Sequence, residues 1–432
     1  MPLLLPGSHA GRRPTPRHAW RGVWRHVACG AFVAVVCCPT ADVGAQPKEP
    51  ADTASRAEAM AAARRAKARQ IAEPPHKNRV EAVVDYIEDS RLFPRLFNPP
   101  SGWFAQVGGL GEGNGLTMGG GFRQPTDVGV VSVRALGSLR ESMLVGADVT
   151  RSFLPRDAGF VTVSAVRRHE AAQRFYGTGP DSSDANRSSF GVTAFQADVT
   201  AGVRVTSWLT GALGVGFLDP DITASSEGGP RTNQLYDESA LPGVMAQPDY
   251  LTMQMGAVID TRATLNPRRG GLYQAHVRRF SDREGGHYSF TSTRVDLQHF
   301  FPFWNETRVL AVRLMAEHAD GLGDGRVPFF LQPTLGGARS LRGYSRQRFR
   351  DRSALLFSAE YRYEVNPFLM AAVFYDAGQV APAWDDFRLK DLRDDYGIGL
   401  RFGYSDAVAL RADVAFGGED PVRLIIGFST SF

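Results

Sequence analysis

Charged side chains interrupt apolar repeats in this sequence, and they are the first candidates for chemistry. Arg401, Arg411 and Asp413 occupy the polar positions of two alternating segments near the C-terminus, and Glu360 does so in another. A soluble sandwich would turn such groups outward to water, whereas a wide closed sheet would turn them into a wet lumen. Enzymatic constellations are scarce. His169-Glu170 lacks the second histidine at helical spacing that a zinc peptidase needs, and no Gly-x-Ser-x-Gly elbow occurs. The glycines from Gly109 to Gly121 lie in strand-like sequence, without the following helix that would help bind a phosphate. Asp219, Asp221 and Glu227 fall in an expected outer loop, but their order fits no calcium loop. All three cysteines, Cys29, Cys37 and Cys38, lie in a segment expected to be removed, which excludes cysteine catalysis, zinc ribbons and haem attachment. We expect no catalytic residues, metal, cofactor or enzymatic activity.

The elements that must position the charges follow from periodicity. After Ser101 the apolar period is two and stays so to the end. Tyr396, Ile398, Leu400, Phe402 and Tyr404 alternate with Gly397, Gly399, Arg401 and Gly403, and Val408 to Phe416 alternate around Arg411 and Asp413. Upstream, Leu355, Phe357, Ala359, Tyr361 and Tyr363 alternate with Leu356, Ser358, Glu360, Arg362 and Glu364. At roughly 10 residues per strand, residues 102–432 hold about sixteen. Aromatics near strand ends (Tyr363, Tyr396, Tyr404, Phe416) suit interfacial girdles. Short turns at 124–126, 154–156, 206–207, 266–268, 301–303, 366–367 and 404–406 alternate with long excursions near 177–187, 219–248, 319–351 and 379–392. Segments 187–218 and 286–300 alternate poorly. Nothing after the N-terminal segment approaches the roughly 18 apolar residues of a membrane-spanning helix. The fold class expected is all-β: a transmembrane antiparallel β-barrel of about sixteen strands, short turns and both chain ends on the periplasmic side.

The N-terminal part reads differently. Arg12, Arg13, Arg17, Arg21 and Arg25 lead into the apolar run 27–38, then Pro39 and the small-residue site Val43-Gly44-Ala45, the layout of a secretory signal peptide over 1–45. Residues 46–101 read as a periplasmic spacer: 61–69 are rich in Ala and Arg with no apolar stripe. Val80, Val83, Val84 and Ile87, followed by Leu92, Phe93, Leu96 and Phe97, predict a short amphipathic helix, so 80–97 offers a face to a periplasmic partner. The formal charge of +4 comes from arginines scattered along the whole chain, which argues against nucleic acid as a partner.

Gly336-Gly337-Ala338-Arg339-Ser340-Leu341-Arg342-Gly343-Tyr344 and the following Arg348-Phe349-Arg350-Asp351 resemble the sixth extracellular loop of the BamA/TamA-type bacterial surface-antigen barrels, with Leu341 where that signature has Val. Phe374-Tyr375-Asp376-Ala377-Gly378 is similar to their Phe-x-Asp-x-Gly strand, and Asp260-Thr261-Arg262 with Asn266-Pro267-Arg268-Arg269-Gly270 to a mid-barrel strand and turn. Phe175 to Ser182 resembles an outer loop, and a terminal Phe432 is the usual assembly signal of such barrels. The resemblance covers about 102–432 and implies a surface-antigen barrel domain in the outer membrane of a Gram-negative (diderm) bacterium. It implies a role in outer-membrane protein or lipid assembly or translocation; the alternative is a passive solute channel on the same barrel, since fold does not determine function. Outer-membrane lipids and the barrel-assembly machinery that inserts the chain are the implied partners. In that family the loop arginine folds back into the lumen, which assigns Arg342 to Asp376 and Glu360 as a clamp, with Gly343 permitting the backbone turn and Tyr344 beside it. Phe374, Gly378, Asp260 and Arg262 are the implied barrel-motif positions. The alternative for Arg342 is a solvated loop residue. Residues 46–101 show no strand signal for the POTRA domains of the assembling relatives, so a POTRA-less member is expected.

Overall fold

Period-two alternation gives every strand one apolar and one polar face, and strands of that kind are stable only when paired on both edges and sorted by face. The computed structural model describes residues 99–427 apart from 111–114, 265, 305–306, 367 and 405–406, and omits the side chains of 404 and 407–409. The expected signal peptide, the 80–97 helix and Phe432 therefore lie outside the described residues.

Strands β1 (Gly102–Val107), β2 (Thr117–Thr126), β3 (Gly129–Ser138), β4 (Met143–Phe153), β5 (Gly159–Phe175), β6 (Ser188–Arg204), β7 (Leu209–Thr223), β8 (Tyr250–Asp260), β9 (Gly270–Asp282), β10 (Phe290–Phe303) and β11 (Arg308–Gly321) follow one another in the sheet. Two short strands, β12 (Thr334–Leu335) and β13 (Phe349–Arg350), form a separate pair in the long loop that follows. The sheet then continues through β14 (Ser353–Asn366), β15 (Leu369–Ala381), β16 (Arg393–Tyr404), β17 (Ala407–Phe416) and β18 (Arg423–Gly427). All sixteen sheet strands run antiparallel in chain order, as the alternation required. Among the described residues no ladder joins β1 to β18.

The outward face is apolar and exposed: Val145, Leu213, Met253, Leu314, Val373 and Ile398 each leave more than half of their surface uncovered, the pattern of a lipid-facing belt. Trp208, Trp304, Phe303 and Tyr363 lie toward the short-turn end, and Tyr375, Tyr396 and Trp384 toward the loop end. No helix of the described residues is long and apolar enough to cross a membrane.

Two turns sit elsewhere than expected. Residues 124–126 end β2 and 301–303 end β10, with the chain reversing at 127–128 and 304–307. Pro125 and Pro302 are the reason: each pairs near a hairpin end, opposite Val130 and Val309, where its missing N–H costs little, so they mark the approach to a turn. The segments that alternate poorly are nonetheless regular strands. Ser188 through Val192 in β6 are all buried, because Phe190 and Val192 pack with Phe175 at the end of β5 and with Leu241, Val244 and Phe329 from overlying loops. Once both faces of a strand are covered, alternation disappears from its sequence.

Candidate functional site

The loop of 322–352 folds inward, and its own backbone explains how. Gly336 and Gly337 have φ of +111° and +105°, a region that side chains with a Cβ resist. The reversal is tied by Gly337 N to Leu341 O at 3.1 Å and Gly336 N to Ser340 Oγ at 2.9 Å. Leu341, wholly buried, enters a core with Leu335, Phe349, Met315, Leu356 and Val380. Seating Leu341 there carries the next residue into the lumen.

Arg342 is 1% exposed. Its Nε donates to Asp376 Oδ2 at 2.6 Å, Nη2 to Asp376 Oδ1 at 3.1 Å and Nη1 to Glu360 Oε2 at 2.7 Å. Asp413 Oδ2 lies 3.6 Å from Nη1, and the guanidinium stacks 3.4 Å from the Phe374 ring centre, a cation–π contact strengthened by exclusion of water. Sheet register gathers the partners: Glu360 on β14 is opposite Phe374 on β15, which is opposite Gly397 on β16. Asp376 in turn is opposite buried Asp395. Burial works against the Arg342 charge, but Asp376, Glu360 and Asp413 outweigh it and hold the guanidinium above its ordinary range.

The cluster is larger than the sequence implied. Glu360 also accepts from Arg362 Nε and Arg401 Nη2, both at 2.8 Å. Arg401 Nη1 donates to Asp413, and Arg411 Nη2 to the loop carbonyl of Ala338 at 3.1 Å. These polar strand faces were expected to meet a wet lumen. Instead Glu360 and Asp413 are 0% exposed and Arg401 1%, because the loop occupies that space. Four guanidinium groups (Arg342, Arg362, Arg401, Arg411) gather around the carboxylates of Glu360, Asp376 and Asp413, and these attractions offset part of the desolvation penalty of buried charge. Arg362, Arg401, Arg411 and Asp413 were not assigned to the site from sequence. A signal was available in Gly397 and Gly399, since a Cβ on either would strike the Phe374 ring at 2.4 Å or Asp413 Oδ1 at 2.0 Å.

Gly343 needs correction as to cause. Its φ is not left-handed; it is glycine because a Cβ would meet Asp395 Cβ at 2.7 Å and Gly418 Cα at 3.0 Å. Close approach, not a turn, selects it. Tyr344 donates to Asp394 O at 3.3 Å and meets Phe349 edge to face. Gly378 likewise leaves room for the loop: a Cβ there would lie 2.9 Å from Leu335 Cδ1. Further along, Arg346 binds Glu170 of β5 at 2.9 Å, and Arg348 binds Glu419 and Ser182. Asp260 and Arg262 lie apart, hydrogen-bonded to each other at 2.9 Å at the short-turn end of β8. Asp219 and Asp221 belong to β7, not to a loop, and Glu227 is held by Arg174, so they form no cluster. Among the described residues no group of three or more His, Cys, Asp or Glu could hold a metal ion.

Sixteen antiparallel strands, an apolar outer face and a loop arginine locked to carboxylates within define an outer-membrane-type β-barrel with an inward-folded loop. The chain belongs to the Omp85 superfamily, whose domain profile matches residues 148–432, from within β4 onward. Among solved structures it is similar to BamA from Haemophilus ducreyi lacking POTRA domains 1–3, with TM-score 0.56 and 14% identity over 76% of this chain and 68% of that one. CdiB from Escherichia coli gives TM-score 0.50 and 12% identity over 76% of this chain, and CdiB from Acinetobacter baumannii 0.45 and 12% over 77%. The chain spans 61% and 58% of those two CdiB chains. At these identities the likeness is one of fold. No curated protein matches the sequence.

Proposed function

We propose that this protein works in the outer membrane of a diderm bacterium as a barrel that assembles or translocates polypeptides or lipids, with the Arg342 loop as its internal clamp. The observation that carries this reading is the dry ion cluster under the loop. A passive solute channel requires a continuous water path, and here the loop seats Leu341, Arg342 and their buried partners inside the sheet, where they narrow such a path. At one sheet end β1 has six residues and, among the described residues, pairs on one side only, with Trp103 exposed beside it. The lipid belt, insertion through a terminal Phe432 and a periplasmic partner on 80–97 belong to the same reading.

The test compares outer-membrane proteins and lipids with and without the protein, and follows folding of an unfolded client barrel in liposomes carrying the purified chain. We expect depleted client barrels or altered outer-leaflet lipids, with client folding or lipid transfer slowed by Arg342→Ala. Unchanged composition together with steady open conductance in planar bilayers would overturn it.

A further inference from the structure

A second piece of chain reaches across the lumen side of the sheet. The β8–β9 connection spans 261–269, whereas other connections on its side, such as 205–208 and 304–307, are four residues long. Nor does it stay beneath its own strands. Asn266, 8% exposed, places Nδ2 3.4 Å from Met370 Sδ, and Arg268 Nη1 lies 2.5 Å from Glu364 Oε2. Glu364 and Met370 are register partners on β14 and β15, and β10 and β11 stand between β9 and β14. To reach them the turn crosses the inner face of two strands. That face is dry: Phe300, Val309 and Ala311 are each 0% exposed, and Pro267 of the turn is buried. A rigid base directs the crossing. Gly270 has φ +87°, its Cβ would meet Thr261 O at 2.4 Å, and Gly271 N donates to Thr261 Oγ1 at 2.8 Å.

The inner positions of β14 run Ser358, Glu360, Arg362 and Glu364, from the loop end to the short-turn end. Glu360 is bound by Arg342 from one side, and Glu364 by Arg268 from the other. We propose that the β8–β9 turn is a latch that closes the short-turn mouth of the lumen, separately from the loop plug, and is held by Arg268 on Glu364 and Asn266 on Met370. This closure does not depend on what the barrel moves.

With the loop plug still seated, conductance would not report the latch, so the readout is access to a covered inner position. Val309→Cys, the covered position of that face nearest the short-turn end, in the full chain with Cys29, Cys37 and Cys38 changed to Ser, is treated with a membrane-impermeant thiol reagent after folding into lipid. We expect slow labelling, a many-fold faster rate with Arg268→Glu or Glu364→Arg, and protection restored when both are combined. Equal rates in all backgrounds, or a combined variant no better protected than the singles, would overturn the latch. Should the charge reversals not fold, Asn266→Cys with Met370→Cys decides it. An oxidative cross-link in a heat-modifiable barrel supports the latch, and no cross-link in such a barrel refutes it.

Discussion

Arg342 grips Asp376 with two parallel hydrogen bonds, from Nε at 2.6 Å and Nη2 at 3.1 Å, while Glu360 occupies the third nitrogen. With every nitrogen engaged, the side chain has one orientation in the lumen, and so does the loop that carries it. Planar bidentate pairing adds direction as well as energy, so the cluster specifies where the loop sits more than how stable the barrel is.

Arg342→Ala should cost about 3–5 kcal/mol, the usual effect of removing one partner of a buried ion pair. We expect a lower unfolding temperature and faster proteolysis within 322–352. Asp376→Ala should resemble it, and the double variant should cost clearly less than the sum. Arg342→Lys should rescue partly, since an ammonium lacks the fork. Additive single effects would show that the two side chains are uncoupled.

Glu360 is the hub, accepting from Arg342, Arg362 and Arg401. Glu360→Gln keeps the shape and removes the anion they share, so its midpoint in a thermal melt should fall further than that of Asp376→Asn, which leaves Glu360 in place. The reverse order would place the centre of the cluster at Asp376.

Much of this was legible in the sequence, for reasons that differ by residue. Strict alternation around Glu360, Arg401 and Asp413 gave the strands and the inward face. The reach of Arg342 to that face came only from the loop's resemblance to known barrels, because periodicity says nothing of where a loop goes. The dryness of the face was invisible for the same reason: a polar strand position looks alike whether water or a loop covers it. Arg268 on Glu364 was equally hidden, a contact across two intervening strands. At β6 the alternation failed because loops bury both faces of its first residues.

Gly343→Ala tests close approach. Its Cβ would press on Asp395 and the backbone of Gly418, and overpacking of this kind costs about 1–3 kcal/mol. Gly228→Ala is the control, since a Cβ there meets nothing within 4 Å. Thermal melts of the folded barrel in detergent should separate the two; equal midpoints would mean that the loop shifts without penalty.

A last prediction concerns pH and the outer loop between β7 and β8. Glu238 accepts from the amides of Gly243, Met245 and Ala246 at 2.5, 2.8 and 3.1 Å, and from Tyr288 Oη across the β9–β10 connection. Partial burial opposes its charge, but the Tyr288 and amide hydrogen bonds outweigh that and hold the carboxyl below its ordinary value of 4.5. Burial, and after it the same contact, push the Tyr288 hydroxyl up to about 12. With the folded value depressed, the contribution of Glu238 is fully present above the ordinary value and disappears as pH falls through the folded one. Hydrogen exchange of the 243–246 amides, corrected for intrinsic rates, should therefore stay flat from neutral pH down to about 4.5 and quicken below it. Tyr288→Phe removes a donor to the carboxylate and raises the folded value toward 4.5, so the acid-side rise should be smaller and complete at a higher pH, while Glu238→Gln should flatten the profile. An acid-side rise that persists in Glu238→Gln would assign the transition to another carboxylate.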